Sequence, residues 1–166
     1  MKTMNVAIIG TKFMGKAHSN AWLNAPRFFD MGIKPVLKVA CGQNAADLQE
    51  FAARWGWEEI ETDWQKVVER DDIDIIDISV PTYLHRDIAV AAAKAGKHIF
   101  CEKPFAITLE EAREMYEAAE AAGIVHYVNH NYRRCPAVML AKRLIDDGTV
   151  GRIFHWRGAY LQDWIV

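Results

Sequence analysis

Short apolar runs and helix-length amphipathic stretches alternate along the chain from its first residues. Val6-Ala7-Ile8-Ile9 is apolar and closed by Gly10, which predicts a buried strand, and a helix is expected from about Met14 to Ala25, ending near Pro26. Pro35 to Cys41 reads as a second strand, followed by a helix capped by Asn44 and running through Trp55 to a stop at Gly56. Thr62 or Asp63 caps a short helix ending at Arg70. Ile73 to Val80 is β-branched and nearly continuous, the pattern of a strand covered on both faces. A helix of small residues from about His85 to Ala95 and a strand at His98–Cys101 come next.

Thr108 with Glu111 three residues later forms a capping box opening a helix that closes at Gly123, with Leu109, Ala112, Tyr116 and Ala119 as its apolar stripe. Val125 to Asn129 predicts a further strand, and Ala137 to Asp147 a further helix stopped by Gly148. Strand and helix alternating with short connections imply an α/β fold: a Rossmann-type, doubly wound parallel sheet with right-handed crossovers. A dinucleotide-binding domain over residues 1–130 is expected, with a connecting helix and the start of a truncated second, α+β domain over 131–166. The stretch from Ile153 to Val166, with Trp156, Tyr160 and Trp164, reads as the first strand of that second domain. Its apolar edge would need a partner, so the segment is expected to be either disordered or paired with another copy of the chain in a homo-oligomer.

Composition narrows the function classes. Of 166 residues, 51% are hydrophobic and 25% charged, which suits a globular protein with a normal core, and the net charge of −2 offers no footprint for nucleic acid or anionic lipid. No apolar run approaches the roughly 20 residues of a membrane span. Three cysteines, Cys41, Cys101 and Cys135, form no close pair, so the chain reads as cytoplasmic.

Candidate chemistry sits at strand ends. Gly10-Thr11-Lys12-Phe13-Met14-Gly15 joins the first strand to the first helix in the place of a dinucleotide-binding loop. The first glycine of such a loop makes the turn, the second lets the backbone approach the pyrophosphate, and the third packs helix on strand. Here the middle glycine is Lys12; a plain strand-to-helix turn would account for the other two equally well. The turn after the second strand, Cys41-Gly42-Gln43-Asn44, has neither the acid that binds ribose hydroxyls nor a base for a 2′-phosphate. Gln43 and Asn44 can hydrogen-bond a ribose, or simply form a turn and a helix cap. Glu102-Lys103-Pro104 follows a strand at the sheet edge where ligands bind, and a lysine there can assist proton transfer from a hydroxyl; on spacing alone a surface lysine is the simpler reading. His126 and His130 on a strand would stand about 13 Å apart, too far to share an ion, so no metal site is expected. His18, one turn into the first helix, reads as a packing or capping residue.

Taken in order, Val6–Gly10 through Gly15-Lys16-Ala17-His18, Asp77-Ile78-Ser79-Val80-Pro81-Thr82 with His85, Ala95-Gly96-Lys97-His98-Ile99 leading to Glu102-Lys103-Pro104, Asn131-Tyr132-Arg133-Arg134, and Leu144-Ile145 to Gly151 resemble the glucose–fructose oxidoreductase / inositol dehydrogenase (Gfo/Idh/MocA) family. The resemblance implies a two-domain enzyme that oxidises or reduces a sugar, cyclitol or related polyol with NAD or NADP. It implies that the loop Gly10, Thr11, Lys12, Phe13, Met14 and Gly15 holds the pyrophosphate. Pro81, Thr82 and His85 would lie along the cofactor. Lys103 would be the catalytic residue beside the nicotinamide and substrate hydroxyl, with Glu102 and Pro104 shaping its turn. Asn131 and Arg133 are further candidates for the cleft. The family's catalytic histidine and its nearby aspartate would fall beyond Val166, so the chain by itself is expected to be inactive. The alternative is a nucleotide-binding or dimerising module without catalysis.

Overall fold

The computed structural model describes residues 1–163. The chain divides into two compact units, Met1–Asn129 and His130–Val166.

The first unit is built on six parallel strands: β1 (Lys2–Ile9), β2 (Ile33–Cys41), β3 (Glu59–Glu61), β4 (Ile75–Ile78), β5 (His98–Cys101) and β6 (His126–Val128), in the spatial order β3-β2-β1-β4-β5-β6. Five helices belong to this unit: α1 (Phe13–Phe28), α2 (Ala45–Trp55), α3 (Trp64–Val68), α4 (His85–Lys94) and α5 (Leu109–Ala122). A short 3-10 turn at Thr82–Leu84 leads into α4.

The period-2 alternation of a strand divides the core between two faces. On β1, Val6 and Ile8 join Leu37, Leu48, Phe51 and Trp57 in one cluster, whereas Ala7 and Ile9 join Val67, Ile88, Ile99 and Met115 in the other. Val6, Ala7 and Ile8 have no exposure at all, and neither do Ile76 and Ile78 on β4. Each such fully buried branched side chain contributes about 1.5–3 kcal/mol relative to an exposed one.

Local signals hold where the chemistry is local. Asn44 Oδ1 accepts from the N–H groups of Ala46 and Asp47, Asp63 caps α3, and both halves of the Thr108–Glu111 capping box are formed. Gly56 and Gly123 take up left-handed C-cap conformations.

The structure departs from the sequence reading at four points. Helix α1 does not end at Pro26 but runs to Phe28: a proline in the last turn removes only one N–H, and the N–H of Phe29 still closes onto the carbonyl of Ala25 at 2.9 Å. Strand β3 escaped the sequence pattern because its three residues, Glu-Ile-Glu, gain strand character only by pairing with β2. On α5, Leu109 and Tyr116 are exposed; Met115 and Ala119 are buried, since the packing against α4 selects the face.

The fourth lies in the second unit. It holds a 3-10 turn (Asn131–Arg134) and α6 (Pro136–Asp146), whose first residue is a proline that needs no N–H partner there. From Ile153 to Asp163 no strand forms, because no neighbouring strand among the described residues pairs with the segment's backbone. The phenolic hydroxyl of Tyr160 donates to that of Tyr132 at 2.9 Å instead. The remainder of the expected strand, Trp164 to Val166, lies outside the described residues.

Candidate functional site

Parallel strands bring all their carboxyl ends to one edge of a sheet, and the order β3-β2-β1-β4-β5-β6 reverses direction between β1 and β4. Crevices for ligands open at such a reversal. Backbone hydrogen bonds stitch the loop starts along this edge: Gly10 N–H to the carbonyl of Cys41, Ser79 N–H to that of Ile9, and Glu102 N–H to that of Ile78, each at 2.9 Å. Asn129 N–H closes the row on the carbonyl of Cys101 at 2.7 Å.

The loop between β1 and α1 is shaped by two of its three fingerprint positions. Gly10 has φ +107°, and a Cβ there would stand 2.5 Å from the carbonyl oxygen of Ser79. A Cβ on Gly15 would stand 2.2 Å from the carbonyl oxygen of Gly10. The middle position needs no glycine: Lys12 has φ −77°, its side chain is 91% exposed, and its Nζ lies 3.8 Å from Asp47 Oδ2. Lys12 is also the N-cap of α1, makes no side-chain cap hydrogen bond, and is followed by a first turn without acidic residues. The N–H groups and dipole of a 16-residue helix are thus left open to an anion, which fits a dinucleotide pyrophosphate.

Beside this helix start lies a cleft of about 240 Å³. Of the residues expected from sequence it gathers Gly10, Thr11, Lys12 and Gln43. It also takes in residues the sequence had not singled out for the site: Asp47 and Thr62, with Trp64, Val80, Leu84 and Ile88 as apolar walls. Phe13, Met14 and Gly15 lie outside the cleft lining, on the first turn of α1, where Phe13 is 80% exposed. Pro81 and Thr82 start the 3-10 turn before α4.

His85 is 1% exposed and has no surface with which to touch a ligand. Its ring instead bridges the carbonyls of Val80 and Phe105, at 2.9 and 3.2 Å, and so braces the two loops on either side. Glu102 is likewise buried, and its carboxylate is engaged by protein groups. Lys103 is exposed at the end of β5, on the same edge of the sheet as the cleft. Asn131 and Arg133 belong to the 3-10 turn of the second unit.

Sequence reasoning missed a buried polar cluster. His18 Nδ1 lies 2.7 Å from Asp77 Oδ1 and its Nε2 lies 3.0 Å from Glu102 Oε1; Trp22 Nε1 donates to Asp77 Oδ2 at 2.7 Å. Asn129 Nδ2 donates to Glu102 Oε1 as well. Asp77 has no exposure and His18 only 6%. One signal was available: an aspartate inside the apolar run Ile75-Ile76-Asp77-Ile78 has to find a partner once buried. Among the described residues, no group of three or more His, Cys, Asp or Glu is placed to hold a metal ion. No helix among them is long and apolar enough to cross a membrane.

Residues 4–130 match the family described as an oxidoreductase family with an NAD-binding Rossmann fold. The chain belongs to the Gfo/Idh/MocA family. Its relatives within this oxidoreductase family include levoglucosan dehydrogenase of Pseudarthrobacter phenanthrenivorans, 50% identical over 165 residues, which is 99% of this chain and 42% of that protein. D-apiose dehydrogenase of Paraburkholderia graminis is 32% identical, over 96% of this chain and 41% of its own length. The structure of levoglucosan dehydrogenase in complex with NADH and levoglucosan superposes with a TM-score of 0.94 at 49% identity, covering 98% of this chain and 44% of that one. The complex with NADH and L-sorbose gives 0.95, over 99% and 44%. This Gfo/Idh/MocA chain therefore spans less than half the length of these relatives.

Proposed function

We propose that this chain is the cofactor-binding part of an NAD-dependent dehydrogenase that acts on a hydroxyl of a sugar, anhydrosugar, cyclitol or related polyol. The observation that carries the reading is the 50% identity to levoglucosan dehydrogenase across 99% of the chain, in an oxidoreductase family with an NAD-binding Rossmann fold.

The loop Gly10 to Gly15 and the open first turn of α1 hold the pyrophosphate, Thr11 and Lys12 from the cleft side and Phe13, Met14 and Gly15 through the helix start. Gln43 faces the ribose that lies beyond β2. Asp47 in the same cleft favours NAD over NADP, because a 2′-phosphate would be brought beside a carboxylate. Pro81 and Thr82 line the path of the cofactor, while His85 and Glu102 act by holding the backbone of neighbouring loops. The bound cofactor supplies hydride-accepting chemistry. Lys103 contributes a cation and hydrogen-bond donor at the substrate hydroxyl and assists the departure of its proton. Asn131 and Arg133 add polar contacts on the substrate side.

Free Cys41, Cys101 and Cys135 suit a reducing compartment, which supports a cytoplasmic protein. Exposed Phe154, Trp156 and Tyr160 support self-association through the segment after Gly151.

Calorimetric titration of the chain with NADH and NADPH tests the reading. Saturable binding with preference for NADH is expected, and no binding of either at millimolar concentration would overturn it.

A further inference from the structure

The two carboxylate oxygens of Glu102 do separate jobs. Oε2 accepts from the backbone N–H of Lys103 at 3.1 Å, while Oε1 accepts from Asn129 Nδ2 and lies 3.0 Å from His18 Nε2. Across the ring, His18 Nδ1 meets Asp77 Oδ1 at 2.7 Å, and the other oxygen of Asp77 is held by Trp22 Nε1. Carboxylate oxygens accept hydrogen bonds and do not donate them. With a carboxylate oxygen at each ring nitrogen, both contacts are hydrogen bonds only when both nitrogens carry protons, which is the imidazolium form. A cation between two buried carboxylates also limits a desolvation penalty that neither anion could sustain alone.

We propose that His18 is a positioning residue: as an imidazolium it holds Glu102 in place, and through Glu102 it fixes the backbone of Lys103. The relay ties α1, the helix that begins at the cofactor loop, to the turn that carries the lysine. It rests on the reading of Lys103 given under Proposed function.

The groups facing the ring come from three strands of the sheet. Asp77 comes from β4, Glu102 from the end of β5, Asn129 from the end of β6 with its Nδ2 3.2 Å from Nε2, and Phe100 on β5 meets the ring edge-on with centroids 5.5 Å apart. Cys101 adds no charge at neutral pH, since burial first, and then Asp77 and Glu102, push its thiol up to about 12. Burial opposes the charge on His18, but hydrogen bonding and attraction from Asp77 and Glu102 outweigh it and raise the ring above its ordinary 6.5. Once the Nε2 proton is lost, Glu102 keeps only Asn129 on Oε1, and its hold on the Lys103 amide weakens.

The test is NMR on the isotope-labelled, cofactor-free chain. The ring nitrogens of His18 are titrated, and protection of the Lys103 amide against hydrogen exchange is followed over the same pH range, corrected for intrinsic exchange. Two protonated ring nitrogens at neutral pH are expected, with protection at Lys103 falling about tenfold through the His18 midpoint while Ile99 within β5 keeps its own. A ring with one protonated nitrogen at neutral pH, or Lys103 protection that ignores the midpoint, would overturn the relay. In a protein that turns over substrate, His18→Gln is expected to lower kcat about ten- to a hundredfold with little change in KM for the cofactor. A loss confined to KM would again overturn the relay. The wild-type result needs no variant to fold. An intact relay in a chain that binds neither cofactor would instead strike the functional reading alone.

Discussion

A Cβ on Gly10 would stand 2.5 Å from the carbonyl oxygen of Ser79, backbone against backbone, at the point where the loop leaving β1 crosses the end of β4. No side-chain rotation relieves such a contact, and φ of +107° adds strain for any L-residue. Gly10→Ala is therefore expected to destabilise the fold by more than about 2 kcal/mol. Gly123 is the control: it has φ +63° but nothing within 4 Å of an added Cβ, so Gly123→Ala should cost only the strain, about 1 kcal/mol. Urea unfolding of the two variants measures the difference, and equal losses would contradict the close-contact argument.

Lys12 occupies the middle fingerprint position with an ordinary φ of −77°, so glycine there relieves no backbone strain. Its exposed ammonium stands at the helix start and is free to turn from Asp47 toward an anion. Lys12→Gly should leave stability nearly unchanged and weaken NADH binding by about two- to fivefold, an effect that fades at high salt. Titrations at low and high ionic strength check this; tighter binding by the variant would show that the side chain obstructs the cofactor.

Lys103 should matter to chemistry and not to folding, because its side chain is exposed. In a protein that carries both domains, Lys103→Ala is expected to lower the chemical step about 10²–10⁴-fold with unaltered thermal stability. The 166-residue chain alone is expected not to turn over polyols, since it spans only 42% of levoglucosan dehydrogenase. Cofactor reduction against a panel of sugars, anhydrosugars and cyclitols measures both, and full activity of the variant would remove Lys103 from the mechanism.

His18 also makes stability depend on pH. Burial disfavours its charge, yet its carboxylate partners hold its pKa above the unfolded 6.5. A group raised in this way contributes its full stabilisation below the unfolded value and loses it as pH rises through the folded one. The stability advantage of the wild type over His18→Gln should thus be largest below about pH 6.5 and shrink at higher pH. Urea unfolding of both proteins across that range reads it out, and an advantage that grows with pH would have the wrong sign.

The sequence by itself determined the fold class, the order of nearly all the elements and the loop at Gly10. Those signals are local: a β-branched run, an Asn44 or Thr108 cap, and a glycine after a strand act through residues three or four apart. The buried face of α5 was not legible, because Met115 rather than Tyr116 is chosen by the helix packed against it. The three residues of β3 carry no pattern of their own and exist as a strand through β2 alone. His18 shows the limit most clearly. On its helix it is one polar residue among several, and its partners Asp77, Glu102 and Asn129 are 59, 84 and 111 positions away. Only the closing of the parallel sheet brings the ends of β4, β5 and β6 to α1, and there it sets one imidazole between two buried carboxylates, one of which also holds the Lys103 amide.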